Sequence, residues 1–327
     1  YTGMLDYAGP VQTSLRETFG WANGDYWFPE IRSLGGAVCM LSLVLYPYVY
    51  LLARVAFREQ STALLEAART MGRGPWQVLF LVALPMARPA IAAGISLALM
   101  ETLADFGTVD YFGVSAFTTG IFRTWYGLGE LTTAAQLASF LLLFVFALFA
   151  LERVSRGRMR FHATAVRQRP QRVALSGWRG IACFGLAGSI LTAGFLLPAG
   201  RLVLWAGRDW SVFVSETFLG LAGNSFMLAA IASLCCLLIA LLLGYGQRLH
   251  PGKVEVTAVR TAAMGYAVPG TVIAVGVLIP FAWLDNQLDS LLRQYFGVSS
   301  GLLLSGSLLA LVFAYTVRFL SVSLQSV

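Results

Sequence analysis

Few residues in this 327-residue chain have the types and spacing for covalent chemistry. Lysine occurs once, at Lys253, and histidine twice, at His162 and His250. A phosphate-cradling loop ending at Lys253 would need Gly at Gln247 and a hydroxyl residue at Val254, so no nucleotide site is expected. Gly297-Val298-Ser299-Ser300-Gly301 has the spacing of a hydrolase nucleophile turn, but it opens an apolar stretch with no strand before it. Small-residue helix packing is the reading preferred there. Cys39, Cys183, Cys235 and Cys236 all lie within apolar blocks, as small buried hydrophobes do, with no metal-ligand spacing. No catalytic residue, metal or cofactor is therefore expected. Two carboxylates stand out instead. Glu101 and Asp105 interrupt an apolar segment, four residues apart, a spacing that puts both on one helical face. Acids at membrane depth are costly and face a bundle interior or a wet cavity. They either line a translocation path or hydrogen-bond to neighbouring helices near the outer end of their helix. Asp110 reads as the second kind.

A further acid, Glu66, belongs to a different pattern. Glu66-Ala67-Ala68, three residues, Gly72, nine residues, Val82, one residue, Leu84-Pro85 fills the span between two apolar blocks. Ser61 or Thr62 is placed to cap a short helix with Glu66 in its early turns. Leu64, Leu65, Ala68 and Met71 give that helix an apolar stripe. Gly72 and Gly74-Pro75 end it, because Gly accepts positive φ and Pro cannot continue a helix. A second stretch, Trp76 to Leu84, follows, and Pro85 and Pro89 lead into the next block. The product is a rigid, amphipathic helix–turn–helix on which a soluble partner can push.

The elements that carry these residues are membrane helices. Hydrophobic residues make up 57% of the chain and charged ones 12%, and the mean hydropathy is +0.72. Soluble domains carry about 25% charge. Uncharged blocks long enough to cross a ~30 Å hydrocarbon core recur without strand-like alternation. Backbone in lipid must satisfy its own hydrogen bonds, so the fold class is an all-α polytopic membrane bundle of about seven helices. They are expected near 31–53, 89–112, 131–151, 181–200, 224–247, 261–284 and 297–317. The spans 58–88 and 153–180 are a loop and a basic linker. Alternating the helices puts 17 of the 23 Lys and Arg residues on the side that holds 54–88. That bias makes it the cytoplasmic side. The linker's arginines suit anionic membrane lipid better than nucleic acid. The linker separates residues 1–152 from 181–327. A weak echo between Tyr48-Val49-Tyr50 and Tyr315-Thr316-Val317 suits two related halves. A start at Tyr1 and a stop at Val327, directly after a membrane helix, read as a fragment cut at both ends.

The Glu66–Pro85 pattern resembles the "EAA loop" of permease subunits in binding-protein-dependent ABC importers of type I. The resemblance implies that Glu66, Ala67, Ala68, Gly72, Val82, Leu84 and Pro85 form a coupling loop docking on an ATPase subunit. It also implies an ATPase dimer and a periplasmic substrate-binding protein as partners, with ATP bound by the ATPase, in a bacterial inner membrane. The stretch Glu101 to Val109, with Tyr111 to Val114 and Phe117 to Ile121, is similar to ferric-iron permeases. So are Asn224-Ser225-Phe226 and Gly265 to Gly270. Those are often two fused six-helix halves. On that plan residues 1–152 end the first half and 181–327 begin the second, whose coupling loop is absent. Ferric iron is the expected cargo, and thiamine, polyamine, phosphonate or sulfate are the alternatives. A secondary transporter or channel, or a non-transporting fragment, is the rival class.

Overall fold

The computed structural model describes residues 1–22, 24–156, 174–249 and 252–326. Most of the linker expected at 153–180 therefore lies outside the described residues. The rest is helical, with no strand among the described residues. The longer helices are α1 (Pro10–Phe19), α2 (Leu34–Glu59), α3 (Thr62–Thr70), α4 (Pro75–Ala104) and α5 (Leu131–Arg156). They are followed by α6 (Trp178–Arg208), α7 (Glu216–Leu249), α8 (Lys253–Ala262), α9 (Gly270–Phe296) and α10 (Leu308–Ser326). By length and composition six of these can cross a membrane: α2, α4, α5, α6, α7 and α9. The apolar helix Leu308–Leu324 is shorter. Outward faces rich in bare apolar side chains, such as Phe184 and Leu242, are what lipid as solvent permits.

Three helices differ most from the sequence expectation. The second membrane helix, expected at 89–112, starts at Pro75 and ends at Ala104. It passes Pro85 because Leu79–Ala83 form a π-helical turn just before it. That wider turn absorbs the i−4 carbonyl that a proline can neither bond nor clear. The sixth, expected at 261–284, starts at Gly270 and runs to Phe296, so it carries Asp285, Asp289 and Arg293 within its length. Charge-counting had ended it at the first acid. The seventh, expected from 297, starts at Leu308. Gly297 and Gly301 have φ of +69° and +63°, so the segment read as small-residue helix packing is turn.

The chain divides into two compact units. The first comprises Tyr1–Thr102, Gly107–Val114 and Phe146–Ala206, the second Leu103–Phe106, Ser115–Val145 and Gly207–Val327. They do not coincide with the halves 1–152 and 181–327, a division that concerns repeat origin rather than packing. In the first unit α4 crosses α2 at Gly94, where an added Cβ would stand 2.6 Å from the Val49 Cα. Only glycine permits that approach. In the second unit Ala134, Ala138, Leu141 and Val145 are buried along one face of α5. Their alternating spacing of four and three is a helical stripe. Ala134, Ala138 and Leu141 pack with Ile121, Val272 and Val275. In lipid such contacts are held by close dispersion packing rather than by expulsion of water.

Candidate functional site

The Glu66–Pro85 segment lies in the first unit and is built as two helices joined by a glycine turn. Ser61, one of the two caps expected from the sequence, takes the N-cap position of α3, and its side chain makes no capping bond. The C-terminus is the better-determined end. The Gly72 N–H donates to the Arg69 carbonyl at 3.0 Å, and the Arg73 N–H to the Ala68 carbonyl at 3.2 Å. With Gly72 at φ +81°, this is a Schellman turn, whose left-handed residue is favoured as glycine. The motif's fixed Gly thus has a local reason. Gly74 then caps α4, with Pro75 at its first position and the Gly74 N–H donating to the Gln77 side-chain oxygen at 3.3 Å.

Within the motif the side chains divide by exposure. Ala68 is buried at 4%, along with Val78 and Ala83 in the opening turns of α4, against which α3 packs. Val82, Leu84 and Pro85 are half-buried, while Glu66, Ala67 and Gly72 are exposed. The expected apolar stripe is only partly used: Leu64 and Met71 are exposed at 45% and 75%. Trp76 and Phe80 stack at 6.2 Å and are both exposed. The loop thus leaves Glu66, Met71 and the Trp76–Phe80 pair exposed on a backbone fixed by its glycine turn.

One residue of this site was missed in the sequence. Gln60, the C-cap of α2, donates from its side-chain amide to the Ala83 carbonyl at 2.7 Å. That carbonyl sits in the π-helical turn, where the regular bonding pattern is broken. The bond joins the two ends of the loop, residues 60 and 83, and closes α3 into a ring between membrane helices. A single polar residue before a helix cap gives little signal, because Gln is ordinary in loops.

Glu101 and Asp105 are both half-buried. Since α4 ends at Ala104, Asp105 lies just past the helix, and its spacing from Glu101 does not fix a shared face. The Thr118 hydroxyl donates to the Asp105 carbonyl at 2.7 Å. Thr118, Thr119 and Ile121 are at most 2% exposed, so part of the segment singled out in the sequence is core of the second unit. Asp110 is exposed in a short helix, Gly107–Tyr111.

A further acid, Asp285, is 1% exposed within α9. It accepts from the Leu304 N–H at 2.9 Å, the Ser305 N–H at 2.8 Å and the Ser305 hydroxyl at 2.7 Å. One helical turn on, Asp289 pairs with Arg293 at 2.6 Å. It also accepts from the Ser299 hydroxyl at 2.6 Å and the Ser300 N–H at 2.9 Å. The Ser299 of the nucleophile-like pattern is therefore a strut, bonded to a carboxylate and an arginine. Among the described residues no group of three or more His, Cys, Asp or Glu could hold a metal ion.

A buried glycine crossing, a glycine-capped helix pair and six spans long and apolar enough to cross a membrane define a polytopic helical protein. Residues 26–161 match the family described as the binding-protein-dependent transport system inner membrane component. That segment is similar to permeases of the ABC importer type, and six helices of the chain are long and apolar enough to cross a membrane. The chain is close to ferric-iron permeases. The Fe(3+)-transport system permease protein FbpB 2 of Haemophilus influenzae is 25% identical over 259 residues, which cover 76% of this chain and 50% of the relative. The molybdenum transport system permease protein ModB of Escherichia coli is 35% identical over 77 residues, 24% of this chain and 34% of the relative. A putative 2-aminoethylphosphonate permease, PhnU of Salmonella paratyphi A, is 30% identical over 173 residues, 52% of this chain and 57% of the relative. The chain spans about half the length, or less, of the first of these relatives. No solved structure matches at a significant level.

Proposed function

We propose that the chain is the membrane-spanning part of an ATP-driven importer that passes ferric iron inward from a periplasmic binding protein. The observation that carries this reading is the Schellman-capped helix Thr62–Thr70, tied by Gln60 to the start of a membrane helix. A push on α3 cannot be taken up by its own hinge, so it passes to α4 and, at Gly94, to α2. In this reading Glu66, Ala67, Ala68, Gly72, Val82, Leu84 and Pro85 couple to an ATPase dimer, and the loop faces the cytoplasm with the majority of the arginines. Glu101 and Asp105 serve the translocation path as hard oxygen ligands suited to a hard cation. The permeases that match include ones named for iron, molybdenum and aminoethylphosphonate, and two ferric transport permeases cover 76% and 86% of this chain, more than the molybdenum and aminoethylphosphonate ones just named. That coverage favours iron.

The test uses the full-length permease with its ATPase and binding protein in proteoliposomes. ATP-dependent uptake of labelled ferric iron, exceeding that of molybdate and of 2-aminoethylphosphonate, is the expected result. Uptake that persists without the ATPase would instead identify a secondary transporter. ATP-dependent uptake of molybdate or of 2-aminoethylphosphonate alone would keep the importer reading and overturn the iron.

A further inference from the structure

In the first unit α1 lies along the end of α6 nearer Arg208, and the two enclose a groove of about 1000 Å³. Val11, Leu15 and Phe19, at helical spacing, line one wall, and Leu197, Val203 and Leu204 line the other. Arg201 also lines it. The Arg201 guanidinium lies 5.3 Å from the Trp205 ring centroid. Its Nε is buried with no hydrogen-bond partner, and among the described residues no carboxylate pairs with it. A buried guanidinium N–H without an acceptor is costly, and an anion at the mouth of the trough would supply one.

The level in the membrane narrows what that is. At 1.5 Å per residue Arg201 lies about 35 Å along α6 from Trp178, just beyond a ~30 Å hydrocarbon core. Trp178 at one end and Trp205 and Trp210 at the other are spaced as interfacial belts. Arg201 therefore stands at headgroup level while the groove beneath it is apolar. A soluble anion would satisfy the charge and leave the trough bare, and a neutral lipid would do the reverse.

We propose that this groove binds one glycerophospholipid, with an acyl chain between α1 and α6 and the phosphodiester on Arg201. The bound lipid pins α1, which is otherwise tethered nearby through the Tyr1 hydroxyl, a donor to the Ala193 carbonyl at 2.8 Å. This site rests on the membrane-spanning reading of α6 alone and is independent of what is transported.

The full-length protein, delipidated in detergent, is titrated with phosphatidylglycerol and with diacylglycerol of the same chains, and binding is read by native mass spectrometry. One phosphatidylglycerol retained per chain, with diacylglycerol at least about tenfold weaker, is expected from loss of a charged hydrogen bond. Arg201→Gln abolishes that preference and Arg201→Lys retains part of it. Gly200→Leu places a side chain in the groove, at a position where an added Cβ meets nothing within 4 Å, and removes binding of both lipids. Arg208→Gln, outside the lining, changes neither. Equal retention of the two lipids, or undiminished phosphatidylglycerol binding in Arg201→Gln, overturns the proposal. So does cross-linking of a photoreactive group at Ser14 to another protein segment rather than to lipid.

Discussion

Gly72 shows how a motif residue acts through backbone geometry. At φ +81°, a residue with a Cβ costs about 1–2 kcal/mol. Gly72→Val therefore unwinds the Schellman turn and frees Arg73 from the Ala68 carbonyl. Hydrogen exchange in the full-length permease should show faster exchange at Gly72 and Arg73, with reduced co-purification of the ATPase. Glu66→Ala should weaken co-purification while leaving those amides protected, since Glu66 is exposed. Equal exchange in both variants would refute the division of labour. Gln60 makes the same argument from the opposite end of the loop. Gln60→Leu leaves the Ala83 carbonyl without its side-chain donor, a loss of about 1–3 kcal/mol if that carbonyl stays dry. Earlier proteolysis between Gln60 and Pro75, with the membrane core intact, is the expected result.

At the scale of elements the sequence was read well where a local rule suffices and badly where a tertiary partner decides. The uncharged blocks marked the membrane helices because lipid tolerates few charges. The turn at Gly72 was legible because positive φ leaves its mark on composition. Counting charges failed for α9, since Asp285 looks like the end of a span until its partners are known. Leu304 and Ser305 lie nearly twenty residues away, and no periodicity announces them. Their donors make Asp285 the clasp that holds the turn before α10 against α9. Asp285→Ala should leave buried N–H groups unpaired and cost about 2–4 kcal/mol, whereas Asp285→Asn retains one acceptor and costs less. Thermal unfolding in detergent should rank wild type above Asn above Ala. Identical midpoints for all three would exclude the clasp. The π-helical turn at Leu79–Ala83 was equally hidden, because Pro85 reads as a helix boundary until the wider turn before it is seen.

On the proposed function the whole molecule combines two properties that pull apart, a firm lever and a path through lipid for a charged cargo. The lever runs from α3 through α4 to the glycine crossing with α2, all within the first unit. Gly94→Val would hold α4 away from α2, so ATPase binding should survive while ATP hydrolysis loses its stimulation by the loaded binding protein. The path is a different matter, because Glu101 and Asp105 stand at the far end of α4 from the loop. If they handle cargo, their charge matters and docking does not. Glu101→Gln combined with Asp105→Asn removes two negative charges while keeping the side-chain shapes. In proteoliposomes the double variant should bind the ATPase as wild type does and lose at least about tenfold in ferric uptake, the size expected for a lost charged ligand. Thr118 donates to the Asp105 backbone carbonyl. The Asp105→Asn change leaves that backbone bond in place. Unchanged uptake would assign both acids to helix packing. A joint fall in uptake and ATPase binding would mean the fold, rather than the path, had been damaged.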